Sequence, residues 1–594
     1  MRFGSQMAAA GRVFAVSGVY TISFAIIAGE LMKEGLLGFA VERIDPVADE
    51  QFFMAGFKVF RSVIPHPQPA QLVSTFEHPV QSFVWDDFTV KPDHEYTYLF
   101  HPIKGKPTNL DRSSSPLSIT VRTEPLISAL THDVFFNRGV ASSQAYQRRF
   151  GNDPIDKLEP SKREAALAWL SRDLDEAPLR FINDCQSGDR LLGCFYEFRY
   201  LPAAAALKTA VNRGVDVHII VDGKINERTD SDGVFHESFP REANLEVIAQ
   251  SGIPATNVIL RQARRSDIQH NKFMVRLLAG TRPTAVWTGS TNLSLGGISG
   301  QTNVGHWVRD PDVANRFTKY WELLSTDPGA ATGDTPAEKK RKNAEFESAV
   351  AAMSPVPADL TQVPAGITPV FSPRPDTTVL ESYARLLDAA SRQACITLAF
   401  TISPHFKDLL KDNTSQNALV FMLLEKRDAP SRNSSTAFVR INATNNVYQA
   451  WGSFLRDPVY QWSQETNTQF LGLNKHVMYI HSKFMLIDPL GADPIVITGS
   501  ANFSAASTTD NDENMIIIRG DQRVADIYLT EFNRLFNHYY FRSVTEAAQR
   551  RRQQPNQASL FLAETADWQA KYTPDTFKTK RLTLYTGMTG FRTL

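Results

Sequence analysis

The stretch YIHSKFMLID, residues 479–488, places a histidine and a lysine two positions apart inside an apolar run. On a β-strand successive side chains alternate between the two faces, so His481 and Lys483 would point one way and Ser482 and Phe484 the other. Taken alone, this pattern also fits a strand with two polar residues on its solvent face. A second copy of the stretch decides between the two interpretations.

The second copy lies in the first half of the chain. IQHNKFMVRL, residues 268–277, aligns with the first stretch and supplies a matching histidine, His270, and a matching lysine, Lys272. Each copy is followed by a Gly-Ser-x-Asn-x-Ser block, at 289–294 and at 499–504. A duplicated fold has packing reasons to keep matching core residues, but none to keep His, Lys, Ser and Asn together twice. The repeat therefore predicts two copies of one α/β unit that share a polar site.

Composition limits the class of protein. The 594 residues are too many for one hydrophobic core and predict roughly three or four domains. Lys plus Arg equal Asp plus Glu at 63 each, which lacks the basic excess of a general nucleic-acid coat but leaves a local basic groove open. The three cysteines have neither disulfide-framework nor zinc spacing, so we expect a reducing, cytoplasmic location.

The N-terminal region reads as short strands separated by turn residues, which predicts a β-sandwich over 1–128. The run from Val13 to Gly29 is apolar enough for a signal-peptide core, but its strand-forming residues and lack of a clear cleavage site favour a β-strand. The same run is too short and too polar for a confident transmembrane helix. We therefore expect no integral membrane segment.

Strand-like and helix-like segments alternate from residue 129, which predicts an α/β layer. The alternation stops over 326–366, which is rich in Pro, Ala, Gly and Thr and reads as a linker with room for one helix. The predicted fold class is therefore multidomain, with an all-β sandwich followed by a duplicated α/β core. The other predicted segments are a first catalytic half at 129–325, a second catalytic half at 367–545 and a C-terminal extension at 546–594.

The repeated polar residues suit a phosphoryl group. A histidine serves as nucleophile or proton donor near neutral pH, and a lysine supplies positive charge. If the halves face each other, two His, two Lys, Asn292 and Asn502 converge on one cationic pocket without a carboxylate pair to hold a metal. One histidine would attack phosphorus in line. The other would protonate the leaving oxygen and later activate water.

The doubled His-x-Lys and Gly-Ser-x-Asn blocks resemble the phospholipase D superfamily, whose motif is His-x-Lys-x(4)-Asp followed by Gly-Ser-x-Asn. The resemblance implies pseudo-twofold symmetry, a phosphohistidine intermediate and no metal or other cofactor. By analogy with two-motif members, His270 would attack and His481 would donate the proton. The residues that would hold the phosphate are Lys272, Lys483, Asn292 and Asn502. The predicted supporting residues are Ser290, Ser500, Asp488 and Glu513.

The sequence departs from the family motif in two places. The motif aspartate is present as Asp488, for which a structural role in a turn is favoured, but its first-half counterpart is Leu277. Tyrosyl-DNA phosphodiesterases resemble this superfamily and also lack that aspartate, so its loss does not imply inactivity. Many members carry a glutamate after Gly-Ser-x-Asn; Glu513 takes this place in the second half, whereas Gln301 and Thr302 fall there in the first.

A carboxylate partner favours the charged form of an imidazole. We therefore expect Glu513 to orient His481 and to make it the more basic histidine, which suits a general acid. His270 would then be the less basic histidine, which suits a nucleophile that starts neutral. His306 is a further candidate for substrate binding near the site, although a core role is favoured for it.

The fold does not determine the substrate. Balanced charge favours a phospholipid met at a transient membrane-surface contact, although no amphipathic docking helix stands out. A nuclease is the alternative, because Arg264 and Arg265 precede the first motif and 550–552 are arginines that would track phosphates. A binding protein that has lost catalysis is the third interpretation, supported by Leu277 alone. The sequence does not predict the oligomeric state.

Overall fold

The fold is described from a computed structural model of the chain. The residues it describes are 1–7, 10–67, 71–139, 144–151, 153–262, 268–328, 333–411, 418–428, 446–452, 477–550 and 561–592.

Two antiparallel sheets form the N-terminal region. The strand order of the first sheet is Arg2–Gly4, Gly11–Ser17, Ile22–Ala28 and Val84–Asp87. The second sheet contains Asn109–Asp111, Glu95–Lys106, Gly38–Asp45 and Glu50–Phe53, with Leu117–Arg122 paired to Glu95–Lys106. Phe24 of the first sheet packs on Tyr98 and Phe100 of the second, with ring centroids 4.6 and 5.4 Å apart. The predicted β-sandwich is confirmed, and the apolar run Val13–Gly29 forms most of one hairpin.

The rest of the chain contains two seven-stranded sheets with the same strand order. The first sheet is His132–Phe136, Val304–Val308, Arg282–Gly289, Lys272–Leu278, Arg190–Phe195, Asp216–Asp222 and Val258–Arg261. The second sheet is Gly366–Ser372, Glu513–Arg519, Ile495–Gly499, Phe484–Ile487, Gln393–Leu398, Leu419–Leu424 and Val447–Trp451. In both sheets the first five strands pair antiparallel and the last two join in parallel. The predicted duplication of an α/β unit is confirmed.

Helices cover both sheets, and one of them fills the space between the halves. Tyr528 of the helix Gln522–Arg550 lies 5.2 Å from the ring of Phe136 in the first sheet and 5.2 Å from that of Phe484 in the second. The two sheets therefore share one apolar core. The other α-helices in the described part of the chain are Glu30–Lys33, Gln144–Phe150, Pro160–Ser171, Glu176–Asn183, Leu201–Asn212, Arg241–Ser251, Pro311–Ser325, Pro336–Met353, Thr378–Asp388, Pro404–Lys411, Ala505–Thr509 and Phe577–Thr586.

The end of the chain returns to the N-terminal sandwich. Phe561–Leu562 pairs in parallel with Val59–Phe60. The Trp568 ring packs 4.9 Å from that of Phe83, and its indole N–H donates to the carbonyl of Leu36 at 2.8 Å. Residues 561–592 thus complete the sandwich core. The segment boundaries stay predictions; helix Gln522–Arg550 continues across the one at 545, and helix Pro336–Met353 lies inside the predicted linker.

Asp488 holds two neighbouring strands together at the end of Phe484–Ile487 remote from the motif lysine. Its Oδ1 accepts from the backbone N–H groups of Arg392 and Gln393 at 2.7 and 2.9 Å. Its Oδ2 accepts from the N–H and the hydroxyl of Ser391 at 2.9 and 2.7 Å. These contacts give the motif aspartate a structural role.

The first half makes the same connection from the opposite strand. Leu277 replaces the aspartate and is buried in the core. Asp189, which precedes the adjacent strand Arg190–Phe195, accepts from the N–H of Ala279 at 3.0 Å. The link between the strands is therefore present in both halves, with its carboxylate on different strands.

Replacing Asp488 by alanine is expected to lower the free energy of unfolding by about 2 kcal/mol, because three backbone N–H groups and a hydroxyl lose their acceptor. The specific activity of the folded protein should change by less than about threefold. Urea midpoints and initial rates measure the two effects, with Asp408→Ala on an exposed helix position as control. A large loss of activity at unchanged stability would instead give Asp488 a part in the chemistry.

Candidate active site

The two histidine-lysine motifs lie in extended segments that lead into the strands Lys272–Leu278 and Phe484–Ile487. The alternation of the sequence predicted that the histidines lie within the strands, but they lie just before them. These segments leave their own sheets and pair with the other half of the chain. Within each motif the lysine Nζ donates to the carbonyl of the histidine, at 2.6 Å for Lys272 and 2.5 Å for Lys483. All four side chains are buried.

Groups of the second half make hydrogen bonds with His270 of the first half. The backbone N–H of His270 donates to the carbonyl of Asp512 at 3.0 Å, and the Asp512 N–H donates to that of Ile268 at 3.0 Å. This bridge brings Glu513 to the ring, with Oε1 at 2.8 Å from His270 Nδ1, while its Oε2 accepts from the Ser500 hydroxyl at 2.6 Å. When Glu513 is ionised it can only accept, so Nδ1 then carries the proton and Nε2 keeps its lone pair for a ligand.

The first half holds the second histidine in the same way. The N–H of His481 donates to the carbonyl of Thr302 at 3.2 Å, and the Thr302 N–H donates to that of Tyr479 at 2.7 Å. Asn303 Oδ1 then accepts from His481 Nδ1 at 2.9 Å and from the Ser290 hydroxyl at 2.8 Å. The Asn303 amide nitrogen donates to a backbone carbonyl at 2.7 Å, which identifies Oδ1 as the acceptor and leaves His481 Nε2 for a ligand.

These crossed contacts correct two predictions. Glu513 contacts His270 and not His481, and its first-half counterpart is Asn303, not Gln301 or Thr302. Glu513 follows His481 by the same number of residues as Thr302 follows His270. The equivalence fails because the segment from the histidine to the motif serine is one residue longer in the first half, where the strand pairing shifts register. Counting from the motif serines gives the correct pair, since serine and acceptor are 13 positions apart in both halves.

The carboxyl contact on which the higher basicity of His481 was predicted therefore belongs to His270. Burial and the nearby lysine charges hold the pKa of both His270 and His481 well below the usual range. Burial also raises the pKa of Glu513 to about 8 and lowers that of Lys272 to about 8. The pKa of Lys483 lies well below its ordinary value for the same reason. Both imidazoles start neutral, and the Glu513 carboxyl lies beside His270.

Two buried carboxylates that were not predicted from the sequence bind the segments in front of the histidines. Asp222 accepts from the N–H of Gln269 at 3.0 Å. Glu425 accepts at 2.7 to 3.0 Å from the N–H groups of Met478, Tyr479 and Ile480. Burial raises the pKa of both carboxyls to about 7. An acidic residue at the carboxyl end of a buried parallel strand was the signal in the sequence, because sites in α/β sheets form at that edge.

The first half adds two more residues that were not predicted. The Tyr196 ring lies 4.9 Å from the His270 ring and 5.4 Å from Lys272 Nζ. Glu197 Oε1 accepts from Asn292 Nδ2 at 3.2 Å. Among the residues that the structure describes, Asn292 Oδ1 and its counterpart in Asn502 have no hydrogen-bond partner. Each half thus offers an asparagine amide with unused hydrogen-bonding capacity.

His306 lies in the core and not at the site. Its Nδ1 is 3.1 Å from the Tyr528 hydroxyl, and its Nε2 is 2.9 Å from Nδ1 of His132. Burial lowers the pKa of His306 well below the usual range. Both ring nitrogens have protein partners, so the substrate-binding prediction for His306 is wrong and the core interpretation holds.

The predicted arginine track is only partly placed. Arg264, Arg265, residues 551–552 and the side chain of Arg550 lie outside the described part of the chain. Arg261 is buried and pairs with Asp512 and Asp327, with N–O distances of 2.7 and 2.9 Å. It therefore joins the two halves instead of facing a substrate.

Within the described ranges, no group of three or more His, Cys, Asp or Glu side chains is placed to hold a metal ion. The absence of a cofactor stays a prediction. In the described part of the chain, no helix has the length and apolar character needed to cross a membrane. The three cysteines, Cys185, Cys194 and Cys395, are buried and free.

Two facing α/β halves, each with a buried His-Lys pair and an acceptor for the other half's histidine, define a two-motif site. The family described as "Cardiolipin synthase, PLD-like domain" matches residues 179–324 and 383–536, together just over half of the chain. The chain belongs to this phospholipase D-like family, whose members act on phosphodiesters. The predicted superfamily is confirmed.

Solved structures show distant likenesses. A phosphatidylserine synthase from Haemophilus influenzae Rd KW20 is 10% identical, with 66% of this chain and 94% of that chain covered and a TM-score of 0.41. A polyphosphate kinase from Porphyromonas gingivalis is 10% identical, with 59% and 46% covered and a TM-score of 0.34. Nuc, a phospholipase D family member from Salmonella typhimurium, is 24% identical, with 26% and 87% covered and a TM-score of 0.20. No curated protein sequence matches the chain.

Replacing Glu513 by glutamine should stabilise the fold while it impairs activity. The pKa of this carboxyl is about 8 in the folded protein, above its ordinary 4.5, so the native state stays protonated to higher pH than the unfolded chain. The free energy of unfolding therefore falls as pH rises between these values. The free energy of unfolding of wild type should fall by about 2 kcal/mol between pH 5 and 7, and the glutamine variant should not show this fall. The turnover of the variant should fall at least about 100-fold.

Urea midpoints at pH 5 and pH 7 test the stability effect, with Glu164→Gln on an exposed helix position as the matched control. Equal pH dependence of wild type and Glu513→Gln would contradict the assigned ionisation.

Proposed function

We propose that the protein is a metal-independent phosphodiesterase that hydrolyses a phospholipid through a phosphohistidine on His270. The observation that carries the proposal is the crossed contact of each histidine Nδ1 with an acceptor from the other half. It leaves the Nε2 atoms of both histidines for the attack and for the protonation, and both motif lysines are buried with them. His270, Lys272, Asn292 and their second-half counterparts His481, Lys483 and Asn502 are the proposed catalytic residues.

In the first step His270 Nε2 attacks phosphorus. A P–N bond forms while the P–O bond to the departing alcohol breaks, and His481 Nε2–H gives its proton to the leaving oxygen. When it is ionised, Glu513 stabilises the positive charge that develops on the His270 ring, because its carboxylate then accepts the Nδ1–H at 2.8 Å. The bound anionic phosphate favours the protonated form of His481, which needs that proton before it can donate.

In the second step the neutral His481 Nε2 accepts a proton from water. The water oxygen bonds to phosphorus, and the P–N bond to His270 breaks, which restores the starting imidazole. The same step with an alcohol in place of water would transfer the phosphatidyl group. Lys272 and Lys483 offset the charge on the non-bridging oxygens in both steps.

A phospholipid is the preferred substrate class. The description of the matching family names cardiolipin synthase, an enzyme that makes a phospholipid. The chain also has no excess of basic over acidic residues. Of the arginines in front of the first motif, Arg261 is occupied by two aspartates, which removes it from a phosphate track. Nucleic acid is therefore the less favoured substrate.

The test incubates the purified chain in EDTA with a phospholipid panel and with single- and double-stranded DNA and RNA, in the presence and absence of added glycerol. Head-group release that His270→Ala and His481→Ala both abolish supports the proposal, and formation of phosphatidylglycerol would show transfer to an alcohol. Cleavage of nucleic acid alone would make the protein a nuclease, and charge reversal at Arg264 and Arg265 should then weaken binding. No turnover of any substrate would support a binding protein.

A further inference from the structure

One carboxylate lies beside the phosphate-binding groups without a part in the proposed chemistry. Glu197 Oε1 accepts from Asn292 Nδ2 at 3.2 Å, and its Oε2 is held by Arg199, with N–O distances of 2.5 and 3.2 Å. Its side chain is 14% exposed. Two partners thus fix Glu197 in one orientation at the edge of the site, with part of its surface open.

The second half has a different residue at this position. Arg190–Phe195 and Gln393–Leu398 occupy the same place in their sheets, so Glu197 and Phe400 each lie two residues past the strand end. Phe400 is 55% exposed. The site is therefore asymmetric, with a carboxylate beside the first-half asparagine and an aromatic ring at the equivalent position of the second half.

A carboxylate next to an anion site opposes binding of the anion unless the ligand brings a compensating group. The two N–H bonds of Asn292 Nδ2 diverge, so a phosphate oxygen bound to the second N–H would lie about 5 Å from Glu197 Oε1. A group on the second carbon of an alcohol esterified to that phosphate spans this gap. Glu197 would accept a hydrogen bond from such a group, and an ammonium would also neutralise its charge.

We propose that Glu197 is a head-group subsite that binds an ammonium or hydroxyl carried two carbons from the phosphate ester. The inference rests on the proposed phosphodiester chemistry, because it places the phosphate at Asn292. Arg199 is a positioning residue in this subsite, since it contacts the carboxylate and not the ligand. The substrate class that fits is a phospholipid with an aminoalcohol or polyol head group.

The test measures binding of three soluble phosphate monoesters to the full chain by calorimetry. Phosphoethanolamine carries the ammonium, glycerol 3-phosphate carries hydroxyls, and propyl phosphate carries neither. Wild type should bind the preferred donor-bearing ester at least about 10-fold more tightly than propyl phosphate. Phosphoethanolamine as the preferred ligand identifies an ammonium, and glycerol 3-phosphate identifies a hydroxyl.

Glu197→Gln should bring the affinity of the donor-bearing ester to within about threefold of that of propyl phosphate. The glutamine oxygen still accepts from Asn292, so this variant tests the charge, and Glu164→Gln is the matched control. Equal weakening of all three ligands would show that Glu197 only positions Asn292 and would overturn the assignment. A preference for the donor-bearing ester that remains in Glu197→Gln would also overturn the assignment. The same holds if wild type shows no such preference. Failure of the proposed function would appear separately, as absent turnover with these affinity differences intact.

Discussion

Replacing His270 by alanine is expected to lower turnover of any phosphodiester substrate by at least about 10⁴-fold, because the variant lacks the atom that bonds to phosphorus. The loss should be as large for a p-nitrophenyl ester as for an alkyl ester, since attack is needed in both cases. The free energy of unfolding is measured alongside the rate, because the variant removes the imidazole partner of the buried Glu513 carboxyl. Initial rates at saturating substrate measure the effect.

The control for His270 is His306→Asn, which alters a buried histidine of the core outside the site. It should affect the free energy of unfolding more than the turnover of the folded protein. If His270→Ala kept more than about one hundredth of the wild-type turnover, His270 would not be the nucleophile.

Replacing His481 by alanine is expected to separate protonation from attack. Turnover of an alkyl ester should fall about 10²- to 10⁴-fold, because the leaving oxygen loses its proton donor. The first step on a p-nitrophenyl ester should be much less affected, since p-nitrophenolate leaves without a proton. Release of p-nitrophenol should then show a burst followed by slow turnover, because water also loses its base and the phosphohistidine accumulates.

Burst kinetics in a stopped-flow experiment measure this prediction, with His270→Ala as the control that should show no burst. A burst in His270→Ala and none in His481→Ala would exchange the roles of the two histidines. The contact of Glu513 with His270 makes the assigned order the expected one, because a carboxylate offsets the charge on a phosphorylated imidazole.

Much of the architecture followed from periodicity and repetition. The short strands predicted for 1–128 and the strand-helix alternation predicted from residue 129 are both present, for example in Glu95–Lys106 and Arg190–Phe195. The duplication predicted that two His-Lys pairs belong to one fold repeated twice, and the two sheets show it. These features are local or repeat at fixed spacing, so a single sequence carries them.

The contacts between the halves could not be predicted in the same way. The pairing of His270 with Glu513 joins residues 243 positions apart and depends on a backbone bridge at Asp512. Sequence proximity favoured Glu513 as the partner of His481, which is the nearer histidine along the chain. Asn303 was missed because an amide does not stand out as an orienting group and because the register of the first half differs by one residue.

Asp222, Glu425 and Glu197 were missed for a related reason. Each is an acidic residue next to a hydrophobic strand, which in a sequence looks like an ordinary strand terminus. Their roles appear only when the parallel strands bring their carboxyl ends to the same edge as the motif segments.

Alkaline quenching and mass spectrometry of His481→Ala after mixing with substrate would show whether His270 becomes covalently bonded to phosphorus. We expect a phosphoryl adduct on the peptide that contains His270, absent from the His270→Ala variant and lost on standing as water completes the reaction. An adduct on His481 in the wild-type protein, or turnover with no adduct on either histidine in any variant, would contradict it.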